Sequence, residues 1–420
     1  MRPWNAPTFR IGFTRSGSQT LKTTLKSSSQ ERLQAPFLLL ECESNRCTLL
    51  PTRTLPVLNS RQTRFRSMPA SVMKQKDDRF SKDRTKAQAQ PWMPGMFKPL
   101  MRNLLDLDAP DHTRLRGLVH TVFTARLIEN LRGRVQNLAD ELLDHVEARG
   151  RIELVREYAV EIPTTIIAEM LGVSVKDRLK FRKWSNAGTA SSASRFGILK
   201  AIPDIVLFIR YVRSLVRARR ANPENDLISA LALAEQAGDY LNEDELLAMI
   251  VLLLVAGHET TVNLIGNGVL ALLENPDQLD RLRNDPALIK SGVEELLRHN
   301  GPLETATERY PREDTSVAGV TIPRGELVFA VLASANRDVQ QFENPDELNL
   351  GPEPNPHVAF GYGMHYCLGA SLARLEAQIA IATLFRRVPN LKLAIPSNSL
   401  RWKRGLALRG QESLPVRFDG

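Results

Sequence analysis

FGYGMHYCLGASLARLE, residues 360–376, places one cysteine among three glycines just ahead of a helical pattern. The chain has only three cysteines in 420 residues. Gly361, Gly363 and Gly369 bracket Cys367. Glycine tolerates positive φ and lets backbone approach a flat ligand closely. Leu368, Leu372, Leu375 and Ile379 then recur at helical spacing, so Cys367 falls at the N-terminus of a helix. The positive end and free N–H groups of a helix start favour thiolate over thiol. A lone cysteine in a turn is ordinarily a small buried hydrophobe; here the surrounding residues argue for a ligand.

A thiolate whose hydrogen bonds come from backbone donors suits axial ligation of haem iron. FxxGxHxCxG is matched by Phe360, Gly363, His365, Cys367 and Gly369, and continued by Leu372, Ala373, Arg374 and Glu376. These positions resemble the haem-binding signature of the cytochrome P450 family. The resemblance implies that Cys367 ligates the iron of haem b (iron protoporphyrin IX). It implies a monooxygenase that inserts one oxygen atom of dioxygen into a C–H or C=C bond of a small organic substrate.

LLAMIVLLLVAG, residues 246–257, is the longest uncharged apolar run. It falls short of the roughly 20 residues that a membrane-spanning helix needs, and reads as a buried core helix. AGHETT at 256–261 puts polar groups into it, which are costly there unless satisfied. One threonine bonding back to a carbonyl would be unremarkable. An acid beside a hydroxyl, next to small residues, points to a groove facing a ligand. By resemblance Glu259 and Thr260 are the catalytic acid–alcohol pair. The acid feeds protons from solvent and the hydroxyl positions dioxygen or a water. Ala256 and Gly257 leave room for the gas, and Thr261 is a neighbour.

EELLR sets Glu295 and Arg298 three residues apart on one helix face, by itself a common ion pair. By resemblance the pair is structural and joins a loop arginine, read here as Arg337 in ANRDVQQFENPDEL, to brace the cysteine loop. Haem carries two propionates, which need cationic partners when partly buried. His112 and Arg116 (one helical turn apart in HTRLR), Arg309 and His365 match family positions that bind them, and Thr307 adds a hydrogen bond. His120, His145, His258, His299 and His357 are read as packing or surface residues. No spacing of Cys, His and Asp resembles a zinc site.

Helical patterns cover about 124–149, 154–172, 199–222, DLISALALAEQAG, 243–273 and SGVEELLRHN. DDRFSKDR at 77–84 reads as a helix end and a loop, and Asp108 with Pro110 as the capped start of a helix. From 301 to 329 the pattern turns to short strands with turn signals. The fold class is mainly α with small β-sheets (α+β). By resemblance it is a cytochrome P450 fold with a single haem domain.

The chain is 43% hydrophobic and 25% charged, an ordinary globular composition. Its net charge is +9, but residues 1–70 hold eleven Lys/Arg against three acidic residues, which leaves +1 for the rest. The basicity is therefore local. No stripe of Lys/Arg interleaved with aromatics points to nucleic acid. Residues 1–70 form an atypical basic segment without the opening helix and strands of the resembled family. A transit-type leader, a disordered tail and a mis-assigned start all fit that composition. Residues 71–420 are the haem domain, with the resemblance running from Asp77 to the closing RGQESLPV. Cys42 and Cys47 either pair or stay as free thiols. Three cysteines make no disulfide framework, and a reducing cytoplasm is the expected compartment.

The pattern is most like soluble bacterial hydroxylases that tailor macrolides and polyketides. A monomer is expected, with no membrane partner. Electrons are expected from a separate ferredoxin or flavodoxin with its reductase, since no flavin or nicotinamide segment is visible. Arg114, Arg126 and Arg374 offer positive charge to an acidic partner. Residues 92–101, 184–198, 252–256, 303–306 and 406–408 are expected to face the substrate. Glu304, Thr305 and Thr307 are more polar than a hydrocarbon pocket needs and point to an oxygenated substrate. Two rivals stand beside this reading. One is a peroxide-driven haem enzyme on the same scaffold, which the intact acid–alcohol pair disfavours. The other is a non-catalytic or defective haem-binding protein, which the unusual N-terminus favours and the relay residues oppose.

Overall fold

A computed structural model of the chain describes residues 38–43, 46–51, 77–86, 102–146, 149–178, 180, 195–236, 239–317, 320–351, 353–403 and 405–418. The helices are α1 (Asp111–Val122), α2 (Ala125–Asn130), α3 (Arg132–Asp144), α4 (Glu161–Met170), α5 (Arg195–Ala221) and α6 (Leu227–Leu233). They continue with α7 (Glu243–Glu274), α8 (Pro276–Asn284), α9 (Ile289–Asn300), the short α10 (Leu332–Ala335) and α11 (Ala370–Arg387). Several start where the sequence supplies a cap. Asp226 accepts from Ser229 N at 2.7 Å ahead of α6. Asn242 and Glu245 form a reciprocal capping box at α7, with bonds of 2.9 and 3.0 Å.

α7 is the spine. It packs against α4, α5, α9 and α11, and α11 in turn packs against α3. Glycine permits one close crossing: a Cβ at Gly268 would lie 3.0 Å from Ile381 on α11 and 3.1 Å from Leu296 on α9. By length and composition α7 is apolar enough to cross a membrane, which the shorter apolar run alone did not indicate. Leu246, Leu247, Ile250, Leu254, Leu264, Ile265 and Val269 on it are nonetheless buried in the shared core. The expected helix at 243–273 is thus a core helix, 32 residues long.

The strands are short. β1 (Leu38–Glu43) and β2 (Arg46–Pro51) form an antiparallel hairpin with Cys42 opposite Cys47, and β1 runs parallel to Val328–Phe329. Strands were not expected in this part of the basic segment; the rest of residues 1–70 lies outside the described residues. Phe80–Ser81 pairs antiparallel with Tyr310–Pro311, so the expected loop in DDRFSKDR contains a strand. Thr315–Val317 and Val320–Ile322 make the expected hairpin. Pro415–Arg417 lies between Lys392–Leu393 and Arg151–Glu153. Asp108 does not cap α1, whose N-cap is Pro110 with no side-chain bond. Its carboxylate instead accepts from Ser81 Oγ at 2.5 Å, Lys82 N at 2.9 Å and Arg312 Nη2 at 2.9 Å. It ties the Phe80–Ser81 strand to the entry of α1.

Buried charge organises the segment before the cysteine loop. Arg298 and Glu295 form an ion pair of 2.7 Å with side chains only 4% and 3% exposed. Arg298 also donates to the carbonyls of Asn336, Pro345 and Glu347 at 3.0, 2.7 and 2.8 Å. Glu295 accepts from Asn349 N and Asn355 Nδ2 at 3.0 and 2.9 Å. Arg337, expected as the third member of this brace, does not reach Glu295. It pairs with Asp346 and donates to the His299 carbonyl, both at 2.6 Å. Asn355 fills the place expected for the arginine. A second clamp joins α9 to the cysteine-loop helix: Arg374 grips Glu294 with two bonds of 2.7 Å, and His357 meets the same carboxylate at 3.0 Å.

Breaking a buried pair leaves an uncompensated charge, typically a loss of about 3–5 kcal/mol. Arg298→Ala should therefore lower stability in urea unfolding by about that amount, against less than 1 kcal/mol for an exposed pair. Burial alone would raise the Glu294 pKa, but the bonds from His357 and Arg374 outweigh it and hold the carboxyl at about 2, below its ordinary 4.5. Its contribution is present above pH 4.5 and lost as pH falls toward 2. Unfolding measured across that window should show wild type more stable than Glu294→Gln at pH 6, with the gap closing toward pH 2.

Candidate active site

The cysteine loop has the backbone its glycines imply. Gly361 and Gly363 take φ of 68° and 73°, conformations that side chains other than glycine rarely adopt. Cys367 N donates to Phe360 O at 2.9 Å, closing the loop, and α11 begins three residues later at Ala370. Cys367 is accessible, yet burial is the largest influence on its acidity and pushes the thiol up. The N–H groups of Gly369 and Ala370, with Arg116 and Arg374, pull the other way and do not win. The helix-start N–H groups thus favour the thiolate as expected, but desolvation outweighs them. A metal cation bound at the sulphur would favour its deprotonated form.

Four of the residues expected around haem propionates converge on this loop. The rings of His112 and His365 meet at a tilt of 52° with centroids 4.2 Å apart. Both nitrogens of each ring are buried without a hydrogen-bond partner. Arg116 donates to Tyr366 O at 2.7 Å, one residue before Cys367. Arg309 is half-buried with no carboxylate within ion-pair distance among the described residues. Burial, then His112, Lys82, Arg309 and Arg116, push the His365 pKa down to about 3. So many donors and positive groups around two unpartnered imidazoles make a site complementary to anions.

Lys82 belongs to the same cluster, although nothing in the sequence pattern singled it out. It is 3% exposed. Its ammonium donates to Thr307 Oγ1 and, at 2.9 Å, to Glu308 O. Burial and the charge of Arg309 push its pKa down to about 7. Thr307, expected to bond a propionate, already accepts this hydrogen bond. A lysine in RFSKD looks like any surface lysine, and its partners lie some 225 residues away.

The acid–alcohol pair sits midway along α7. Val255 and Ala256 are exposed, one turn before the pair and in the middle of the helix. Thr260 donates back to Ala256 O at 2.8 Å and Thr261 to Gly257 O at 3.2 Å. Glu259 pairs with Lys403 at 3.2 Å, while its Oε2 is buried without a partner. No hydrogen bond joins this pair to the cysteine loop among the described residues. His258 is a packing residue, with Nδ1 2.7 Å from Leu254 O.

Two further expectations change. Arg374 is held by Glu294 and lies over the Phe360 ring, and Arg114 pairs with Asp239 and Glu245. Neither offers free charge to a partner; Arg126 is exposed. The polar residues expected to face substrate are satisfied within the protein. Glu304 pairs with Arg409 at 2.7 Å, and Thr305 is buried and donates to Leu406 O at 3.2 Å. They give no sign of an oxygenated substrate. Residues 303–306 and 406–408 do meet, through a Leu303–Leu408 bridge and a bond from Glu304 N to Ala407 O. Residues 92–101 and 184–194 lie outside the described residues.

The protein therefore presents an exposed sulphur and, beside it, buried imidazole nitrogens without hydrogen-bond partners and a guanidinium with no carboxylate at ion-pair distance among the described residues. Those residues fit a group that carries a metal and two carboxylates, as haem does. Comparison with known proteins agrees. The family pattern described as Cytochrome P450 matches residues 67–389. The chain is 46% identical to cytochrome P450 107B1 of Saccharopolyspora erythraea, over 77% of this chain and 79% of that one. It is 42% identical to the cytochrome P450 monooxygenase PikC of Streptomyces venezuelae, over 81% and 82%. The solved structure of the bacillaene polyketide synthase cytochrome P450 PksS of Bacillus subtilis superposes with a TM-score of 0.79 at 40% identity, covering 84% of this chain and 88% of that one. The match extends through the cysteine loop, the long helix and the brace between them, and the chain belongs to the cytochrome P450 family.

Proposed function

We propose that Cys367 is the axial ligand of haem b in this protein, with Glu259 and Thr260 as its proton-delivering pair. As a cytochrome P450 the chain is a haem-iron monooxygenase that inserts one oxygen atom of dioxygen into a small organic substrate. The observation that carries the site assignment is the convergence of Arg116, His365 and the backbone of residues 360–370 on one cysteine. When bound, haem supplies dioxygen activation, and thiolate ligation favours O–O cleavage.

The chain's own residues do the rest. Arg116 and Arg309 would neutralise the propionates, His112 and His365 would donate hydrogen bonds to them, and Lys82 holds the segment carrying Thr307 and Arg309 in place. The Thr260 hydroxyl donates to a helix carbonyl and so keeps its oxygen lone pairs toward the groove. Glu259 is the proton source beside it. The Glu295–Arg298 brace and the Glu294–Arg374 clamp fix the loop against α9.

The substrate class proposed is a polyketide or macrolide. The names of two relatives support it, a polyketide-biosynthesis P450 and a mycinamicin hydroxylase/epoxidase; the polar residues of the pocket wall do not. A ferredoxin or flavodoxin with its reductase is the proposed electron source, acting on a cytoplasmic monomer. Residues 71–420 are the proposed haem domain, and residues 1–70 an appended basic segment.

The ferrous–carbonyl difference spectrum of the expressed chain tests the ligand. Wild type should give the strongly red-shifted Soret band of thiolate ligation, and Cys367→His the blue-shifted band of a nitrogen ligand. A blue-shifted band from a folded wild type overturns the assignment. Thr260→Ala should keep the red-shifted band but send most reducing equivalents to peroxide. Product formation should fall by about a hundredfold, the lower range for a positioned proton donor, as read from product and peroxide per NADH.

A further inference from the structure

Glu259, Asn263 and Asn267 stand four residues apart along α7 and so share one face. Asn263 and Asn267 are 2% and 0% exposed. The turn 402–411 lies against this face, closed by a Trp402–Gln411 bridge and a bond from Lys403 N to Gly410 O at 2.8 Å. It lies so close that a Cβ at Gly410 would collide with the Asn263 side chain. From this turn Lys403 extends its ammonium to Glu259 Oε1 at 3.2 Å and Asn263 Oδ1 at 3.1 Å. Four polar atoms here are buried without partners: Glu259 Oε2, Asn263 Nδ2, Asn267 Oδ1 and Gln411 Nε2. Atoms of this kind are ordinarily satisfied by ordered water. The Lys403 side chain remains 28% exposed, so the face has an outlet to solvent.

We propose that Lys403 is the positioning residue of the Glu259 carboxylate, and that the buried face of Glu259, Asn263 and Gln411 is the route by which this carboxylate exchanges protons with solvent. The inference rests on the proton-delivery role proposed above for Glu259. A proton passes from solvent along this face to Glu259. Glu259 gives its proton to dioxygen in the groove, where the Thr260 oxygen, its own proton held by Ala256 O, accepts a hydrogen bond; the face then reprotonates Glu259, so the chain ends each cycle unchanged. Lys403 fixes one carboxylate oxygen by a charge-assisted bond and leaves Oε2 turned to the route. The same turn carries Leu406 and Ala407, whose carbonyls bond Thr305 and Glu304 at the expected substrate wall. Proton supply and substrate wall therefore share one support.

The test uses the haem-loaded full chain with a surrogate ferredoxin–reductase pair, dioxygen as the only acceptor and no organic substrate. Peroxide and NADH are measured, and the C–O stretch of the ferrous carbonyl is recorded separately. Lys403→Met should raise the ratio of peroxide to water by about tenfold, the scale of one charge-assisted hydrogen bond. It should also shift the C–O stretch, while Lys403→Arg stays near wild type on both. Asn263→Leu should move the ratio in the same direction. If Lys403→Met matches wild type while Glu259→Gln raises peroxide, Lys403 only fastens the turn and the inference fails alone. If Glu259→Gln also matches wild type, the proton-delivery role of Glu259 falls with it. An unaltered ratio in Asn263→Leu, with Lys403→Met uncoupled, overturns the route.

Discussion

Arg298 has five N–H donors, and each of them is used. Two go to Glu295 and three to the carbonyls of Asn336, Pro345 and Glu347. Glu295 accepts four bonds in return, two from Arg298 and one each from Asn349 and Asn355. A buried ion pair is no guarantee of stability, but full satisfaction at both ends turns it into a junction of fixed geometry. The segment 336–355 has little regular structure, and this junction stands in for a ladder. Its far end reaches the site: the Asn336 side chain accepts from Val358 N at 2.8 Å, two residues before the cysteine loop starts. The position of the sulphur is thus referred back to α9 through three hydrogen-bonded steps.

The large elements were legible because they carry periodic or compositional signals. α7 is a long helix with an apolar run and a capping box, and α9 has a strong apolar face ending at Gly301. The glycines around Cys367 announced a loop of unusual backbone, and two of them have the positive φ that glycine permits. Phe80–Ser81 was missed because two residues cannot display an alternation. Asp108 was misread as a helix cap because the competing donors, Ser81 and Arg312, are distant in sequence.

The candidate site was legible in part for the same reason. Residues joined locally, such as Glu295 with Arg298, could be paired by spacing. Arg337 was assigned a partner that it does not reach, and the residues that complete the braces, Asn355, Asn336 and Glu294, have ordinary spacing. Lys82 and Lys403 are single lysines in unremarkable contexts whose partners lie more than a hundred residues away. The helix start's pull on Cys367 could be read from the sequence because it is local; the desolvation that outweighs it depends on the folded surroundings and could not.

The setting of Cys367 bears on how its sulphur would take a metal. Burial favours the neutral thiol, while backbone N–H groups and two guanidiniums favour the anion. A thiol must lose its proton to bind a metal, so capture of a cation by the proposed ligand expels one. Capture is accordingly opposed by acid and promoted by base, and the sulphur becomes strongly donating only once a metal is there to receive its electrons.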